Sequence, residues 1–333
     1  SPRIHGGGDA DEHRAVHHGP MLGRGFGTSS SRVAPMKQGT PEASLDGVRI
    51  GILHHARSSL VRSGYLIAPI SDRWKDRGAR VIDIIGAGTP VPVDVLLCHV
   101  DLSVVPEEYR RFAQDHPRVI NLSANDIRKS SYLDDLVGVD DPPSGPVIVK
   151  SDLNHGGLPE RLLGSKRTGP GRIASGIMRR LRRRLNVADE IRFKSDYRIY
   201  PDRRSVPARR FTDGSVIQPF RPERRDGGYV LRECYFLGDV EILSTEVGSE
   251  AVMTTGRQVE SRQASAPPEV RAVRDRLKLD YGKIDYGCPD GDVVVYDANK
   301  CVGTRRDPGE PTRQLAAALS AGIDAWLDPA LSR

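Results

Sequence analysis

Aromatic residues are scarce in this chain: Phe, Trp and Tyr together make up 5% of its 333 residues. That is too few for a surface of alternating cations and stacking rings, so a nucleic-acid partner is not expected. Cysteine is scarcer still, with Cys98, Cys234, Cys288 and Cys301 scattered and no CxxC pair. Such spacing supports neither a disulfide framework nor a zinc site and fits a reducing, cytoplasmic setting. No window approaches the ~18 consecutive apolar residues of a membrane helix. Residues 1–37 lack the apolar core of a secretory signal. There is no internal repeat, no nucleophile with a base beside it, and no GxxxxGK[ST] sequence, which argues against a P-loop ATPase. Charge of one sign is also in short supply: 50 Lys and Arg against 44 Asp and Glu leave a formal +6. So small an excess suits a polyanionic small ligand such as a nucleotide.

What is present reads as an ordinary globular chain, 38% hydrophobic and long enough for two or three lobes. Residues 1–45 have no apolar periodicity and read as a disordered tail. Within it, GRGFGTS imitates a phosphate loop but has no strand before it and no helix after it, and four histidines (His5, His13, His17, His18) lie in low-complexity sequence. Residues 46–123 alternate buried-strand runs (GVRIGILHH, ARVIDII, VDVLLCHV, RVINL) with helical stretches near 60–78 and 105–116. That alternation predicts a small, mostly parallel α/β domain. Residues 124–330 predict a second, α+β domain. It has polar residues able to open a helix at 125–137, the strand PVIVK, a glycine-rich mobile loop at 151–172 and a basic helix at 173–185. The strand VIQPF and two hairpins follow, one turning at Gly238-Asp239 and one at residues 289–292, and then a last helix at 313–327.

The second hairpin carries the most chemistry. On its second strand Val293, Val295, Asp297 and Asn299 share a face, because side chains alternate with period two. A pairing centred on Gly291 sets Asp285 opposite Asp297. Two carboxylates facing each other ~5 Å apart across a ladder repel. A divalent cation between them removes the conflict, and two carboxylates with an amide oxygen are hard ligands suited to Mg²⁺ or Mn²⁺. A register shifted by one residue would instead put the two on opposite faces, with one simply solvated.

Cations accompany these acids. Lys150 ends an apolar strand directly before the glycine-rich loop, where a lone ammonium is costly unless an anion meets it. Backbone amides of a glycine loop, at Gly156 and Gly157, approach phosphates closely. Lys129 precedes Lys150 by one element, and Arg232 shares a strand face with Cys234 and Phe236. Each cation alone reads as a snorkelling surface residue; the set together does not.

In this order the residues resemble the ATP-grasp family from about residue 47 to the last helix. The match runs through Lys129, P-x-V-K before glycines (Pro146, Val149, Lys150, Gly156, Gly157), VIQPF, Arg232 and Asp…Asp-x-Asn (Asp285, Asp297, Asn299). The resemblance implies an ATP-grasp domain over 124–330, with a lid at about 146–215 and a C-terminal lobe at about 216–330, behind a pre-ATP-grasp domain. It implies that Lys129 and Lys150 contact ATP phosphates, with Lys150 also near the adenine. Gln218 to Phe220 would border the adenine, Glu223 and Glu233 would stand on the nucleotide side, Arg232 would steady the transferring phosphate, and Asp285, Asp297 and Asn299 would hold Mg²⁺. The family usually has Glu where Asp297 stands, and KCVGT follows Asn299 in place of a small Ser/Pro-rich loop.

The expected activity is therefore an ATP- and Mg²⁺-dependent ligase joining a carboxylate to an amine through an acyl phosphate. Its partners would be ATP and a small-molecule or peptide substrate, with no membrane, and a homo-oligomer is compatible with the reading. A kinase acting on a small hydroxyl substrate and a non-catalytic nucleotide-binding protein are the alternatives. RRLRRRLN, near 179–186, reads as the solvated face of a lid helix in preference to a nucleic-acid contact. His99, before Asp101 at a strand end, is a candidate substrate contact, and His54, His55 and His155 read first as structural.

Overall fold

The computed structural model describes residues 43–58, 62–142, 145–163, 191, 194–211, 214–253, 256–304 and 307–327. The expected basic helix lies outside them, as does the expected tail up to residue 42; its last residues are corrected, since Leu45 is buried in the core of the parallel sheet.

Strands β1 (Arg49–His54), β2 (Arg80–Ile85), β3 (Val95–Cys98) and β4 (Val119–Ile120) form a parallel sheet in the order β2-β1-β3-β4. The inner strands β1 and β3 read as unbroken apolar runs because both of their faces are covered. Helix α1 (Ile67–Asp76) covers one face through Ile67, Ile70 and Trp74, against Ile50 and Ile52. Helix α2 (Glu107–Gln114) covers the other through Tyr109, Phe112 and Ala113, against Leu53 and Leu96.

A three-stranded antiparallel sheet, in the order β6-β5-β7, joins β5 (Val147–Ser151), β6 (Arg198–Tyr200) and β7 (Ser215–Pro219). The short helix α3 (Leu158–Leu163) follows β5.

The largest sheet is antiparallel. It contains β8 (Glu223–Arg225), β9 (Gly228–Leu237), β10 (Val240–Gly248), β11 (Arg257–Gln263), β12 (Tyr281–Gly287) and β13 (Val294–Asn299). Its order is β11-β10-β9-β12-β13, with β8 beside the start of β9. Helix α4 (Pro268–Leu277) and the segment from Ala124 to Leu133 seal one face against Cys234, Phe236 and Ile284. Helix α5 (Glu310–Ser320) packs against α1, and Trp74 Nε1 donates to Ser320 O at 2.9 Å, so the parallel sheet and the large sheet share one core.

The fold class is the expected one, α/β and α+β with a mostly parallel first sheet followed by antiparallel sheets. Three local expectations are corrected. The stretch 125–137 forms no helix beyond a single 3-10 turn at Lys129–Ser131, because its apolar residues serve the large sheet's core. The start of the glycine-rich loop is ordered: Asn154–Gly157 makes a tight turn leading into α3. The last helix begins earlier, at Glu310, and passes into a 3-10 segment at Ala321–Trp326.

Candidate active site

Asp285 and Asp297 pair directly across β12 and β13, the register that the turn at Gly291 predicts. A β-bulge between Asp285 and Tyr286 then skips Tyr296, so Tyr286 pairs with Val295. The bulge corrects one expectation. Val295 turns to the core with Tyr286, while Asp297 and Asn299 keep the face of Asp285, so the four residues do not share a side. On the other flank of β12, Glu233 of β9 pairs with Asp285, which brings a third carboxylate to this face.

Ammonium groups answer these acids. Lys129 Nζ is 3.0 Å from Asp297 Oδ1. Lys283 Nζ is 2.6 Å from Glu233 Oε1 and 2.8 Å from Asp285 Oδ1. Lys194 Nζ stands 3.8 Å from Asp285 Oδ2 and 3.9 Å from Asp297 Oδ2. Burial by itself would raise the Asp297 pKa, but the Lys129, Lys194 and His155 charges outweigh it and hold the carboxyl well below the usual range. Burial by itself would lower Lys129 and Lys283; their carboxylate partners reverse this and raise both. The cluster is thus charged on both sides.

Lys150, the last apolar-strand residue but one of β5, is different. Its Nζ donates to Gln218 Oε1 and, at 3.0 Å, to Tyr296 O, and among the described residues meets no carboxylate in a direct ion pair. Burial, and then the Lys129 charge, depress its pKa to about 7. Gln218 is held in turn by bonds from Nε2 to Asp135 Oδ1 at 2.9 Å and to Val295 O at 3.0 Å. Its side chain positions Lys150.

Lys129, Lys150, Lys194, Gln218, Asp285, Tyr296 and Asp297 line a cavity, open to solvent, between the three-stranded sheet and the large sheet. Ile148, Phe220, Leu231 and Met253 add apolar surface to its wall. A ligand with a flat apolar part and an anionic tail suits such a mixed lining.

Of the expected site residues, Lys129, Lys150, Gln218, Phe220, Asp285 and Asp297 line this cavity. Asn299 lies on the same strand face, and its buried Oδ1 has no hydrogen-bond partner among the described residues. Gly156 and Gly157 do not line it. With His155 they form three successive left-handed residues in the turn after β5, where Asn154 N donates to Ser103 Oγ at 2.8 Å and Arg161 Nη1 to Gly156 O at 2.7 Å. Arg232 and Glu223 are also absent from the cavity wall. Strand alternation puts them on the opposite face of the sheet from Glu233, locked together by bonds of 2.7 Å from Arg232 Nε and Nη2. The expected phosphate contact by Arg232 is therefore not among those the cavity brings together. We predict that Arg232→Gln leaves nucleotide affinity within about twofold and lowers stability by about 2 kcal/mol, the cost of freeing a mostly buried carboxylate. A loss of binding in calorimetry with stability unchanged would restore Arg232 to the site.

Lys194, Tyr197 and Lys283 escaped the sequence reading. Lys283 had a signal, since it stands two residues before Asp285 and so on the same face. Lys194 follows a stretch dense in cations and has none.

The donor chemistry at Asp285, Asp297 and Asn299 fits a hard divalent cation. Asn299 Oδ1 is the orphaned buried oxygen that such an ion would satisfy. No cluster of three or more His, Cys, Asp or Glu side chains arranged to hold a metal occurs among the described residues. An ion here therefore has to take further oxygens from water or a bound phosphate.

Beyond the cavity, at the ends of β1 and β3, Tyr65 donates its hydroxyl to Asp101 Oδ2 at 2.8 Å. The His99 ring packs edge-on against Tyr65 and His54. Burial, with the neighbouring His54 charge, lowers the His99 pKa to about 3, and its Nε2 has no partner among the described residues. Among the described residues no helix is long and apolar enough to cross a membrane.

No protein-family model matches the chain, and no curated protein does. Solved structures similar to it include a RimK domain protein ATP-grasp from Sphaerobacter thermophilus, 13% identical over 84% of this chain and 100% of that one, with a TM-score of 0.42. The macrocyclase MdnC from Microcystis aeruginosa, bound with its precursor peptide MdnA, is 9% identical over 82% and 98%, with a TM-score of 0.43. D-alanine–D-alanine ligase from Bacillus anthracis is 12% identical over 84% and 96%, with a TM-score of 0.39.

Proposed function

We propose that the chain is an ATP- and Mg²⁺-dependent ligase of the ATP-grasp type, joining a small-molecule or peptide carboxylate to an amine. In this reading residues 46–123 are the pre-ATP-grasp domain and residues 124–330 the ATP-grasp domain. The supporting observation is the convergence of Lys129, Lys150 and Lys194 with Asp285 and Asp297 in a cavity whose wall also carries Ile148, Phe220, Leu231 and Met253.

The apolar part of the wall, at Phe220 and Leu231, takes the adenine. Lys129, Lys150 and Lys194 surround the phosphates. Asp285, Asp297 and Asn299 would hold Mg²⁺, which supplies charge neutralisation at the transferring phosphoryl group. A carboxylate oxygen of the substrate attacks the γ-phosphorus and the bond to ADP breaks. The amine then attacks the acyl carbon, phosphate leaves with the bonding pair, and the amine loses its proton. No side chain needs to form a bond: the lysines stabilise charge as it moves from the γ-phosphoryl group to ADP.

The test is an ADP-release screen of the full chain with Mg²⁺ and ATP over carboxylates and amines. ADP and phosphate released in equal amounts only when both an acid and an amine are present is the expected result. ADP released with a phosphorylated hydroxyl compound would make it a kinase, and tight ATP binding with no turnover for any acceptor would overturn the enzymatic reading.

A further inference from the structure

Three carboxylates, Glu233, Asp285 and Asp297, meet three ammonium groups, Lys129, Lys194 and Lys283, so the formal charge of the set is zero. The three cations are not held alike. The Lys129 and Lys283 side chains are 1% and 16% exposed and touch their partners at 2.6–3.0 Å. Lys194 is 33% exposed, is carried on a single 3-10 turn (Lys194–Asp196), and stands almost equally far from Asp285 and Asp297 at 3.8 and 3.9 Å. Both distances exceed a hydrogen bond. Its ammonium therefore sits in the gap between the two carboxylates, attracted by both and bonded to neither. A divalent ion shared by these carboxylates has to enter the same gap.

We propose that Lys194 is a tethered cation that keeps bare metal out of the site and yields its place only to metal arriving with a nucleotide. The inference rests on the metal reading of Asp285 and Asp297 above. Bare Mg²⁺ adds two positive charges to a balanced cluster and must displace an ammonium held by the attraction of both carboxylates. Magnesium with ATP⁴⁻ adds two negative charges in net, and its phosphates become the new partners of the displaced Lys194. The order of binding is thereby set by one side chain: nucleotide with metal, never metal first. This also protects the empty site from inhibition by free divalent ions.

The experiment measures Mn²⁺ binding to the full chain at fixed ionic strength, with and without ADP, by the electron paramagnetic resonance signal of free Mn²⁺. Without nucleotide, Lys194→Met is expected to bind Mn²⁺ about tenfold more tightly than the wild type, and Lys194→Arg to restore the wild-type exclusion. Unchanged or weaker Mn²⁺ binding by Lys194→Met overturns the proposal, leaving Lys194 as a phosphate contact only. Asp297→Asn separates this from the underlying reading. Loss of ADP-dependent Mn²⁺ binding in Asp297→Asn together with an inert Lys194→Met sinks the tether alone. Mn²⁺ binding indifferent to Asp297→Asn in both conditions sinks the metal site and the tether with it.

Discussion

Asp297→Asn is expected to reduce turnover by about 10³-fold or more and, at the same time, to lower stability by about 3 kcal/mol. The first effect follows from the proposed chemistry, because Asn offers a neutral oxygen where the metal and the shifting phosphoryl charge require an anion. The second follows from packing. Lys129 is buried against Asp297 at 3.0 Å and among the described residues finds otherwise only the Leu153 carbonyl, at 3.3 Å. Removing the carboxylate charge strands an ammonium with almost no water. The two effects separate in the double variant Lys129→Met/Asp297→Asn, where stability recovers in part and turnover does not. Steady-state assays and urea unfolding measure the two quantities. Near-normal turnover of Asp297→Asn at saturating Mg²⁺ would remove Asp297 from the chemistry. The pair also has a pH signature. Asp297 has a depressed pKa, so its contribution is present above the ordinary carboxylate range of about 4 and is lost as pH falls through its folded value.

The opposition of these carboxylates was legible only in part from the turn. Counting from Gly291 sets Asp285 against Asp297, and that pair is observed, but beside the turn Gly287 pairs with Val294 and Tyr286 with Val295, one residue out of that count, and the bulge restores it. What the alternation rule could not show is the bulge at Tyr296, which spares the apolar Val295 from the cleft and turns Asp297 toward it. A bulge depends on packing across the sheet, here Val295 against the α4 core, and that is a tertiary fact. Arg232 stands outside the cavity wall for a related reason. Its strand was correctly placed, and its face with Cys234 and Phe236 correctly read, but which face looks into the cavity depends on where α4 docks. Lys129 was found for its type and order in the chain, although its helix proved to be one 3-10 turn: a buried lysine is defined by its partner, and the partner lies 168 positions further on in β13. The same reasoning explains why Lys194 had no local signal at all. Short-range patterns identify strands and their faces; the pairing of cations with acids from separate sheets has to be seen in three dimensions.

Lys150 yields the second large effect, in which stability and nucleotide binding respond to pH in opposite directions. Its pKa in the folded chain lies at about 7, lowered by burial and by Lys129, whereas an unfolded lysine titrates at about 10.4. Between those values the unfolded chain holds a proton that the folded chain has released, so stability rises with pH across that window. A phosphate needs the protonated form. ATP affinity is therefore expected to fall by about tenfold per pH unit above 7, up to the higher pKa that the bound phosphates impose on the amine. Binding at pH 8 should then draw about one proton from the buffer. Calorimetric titrations between pH 7.5 and 9, repeated in two buffers of different ionisation enthalpy, read both the slope and the proton. Lys150→Met should bind ATP weakly at every pH, without proton uptake, and its stability should lose the rise between pH 7 and 10. A flat affinity profile with no proton uptake in the wild type would show that the ammonium between Gln218 and Tyr296 serves only to hold the two sheets together and does not meet the nucleotide.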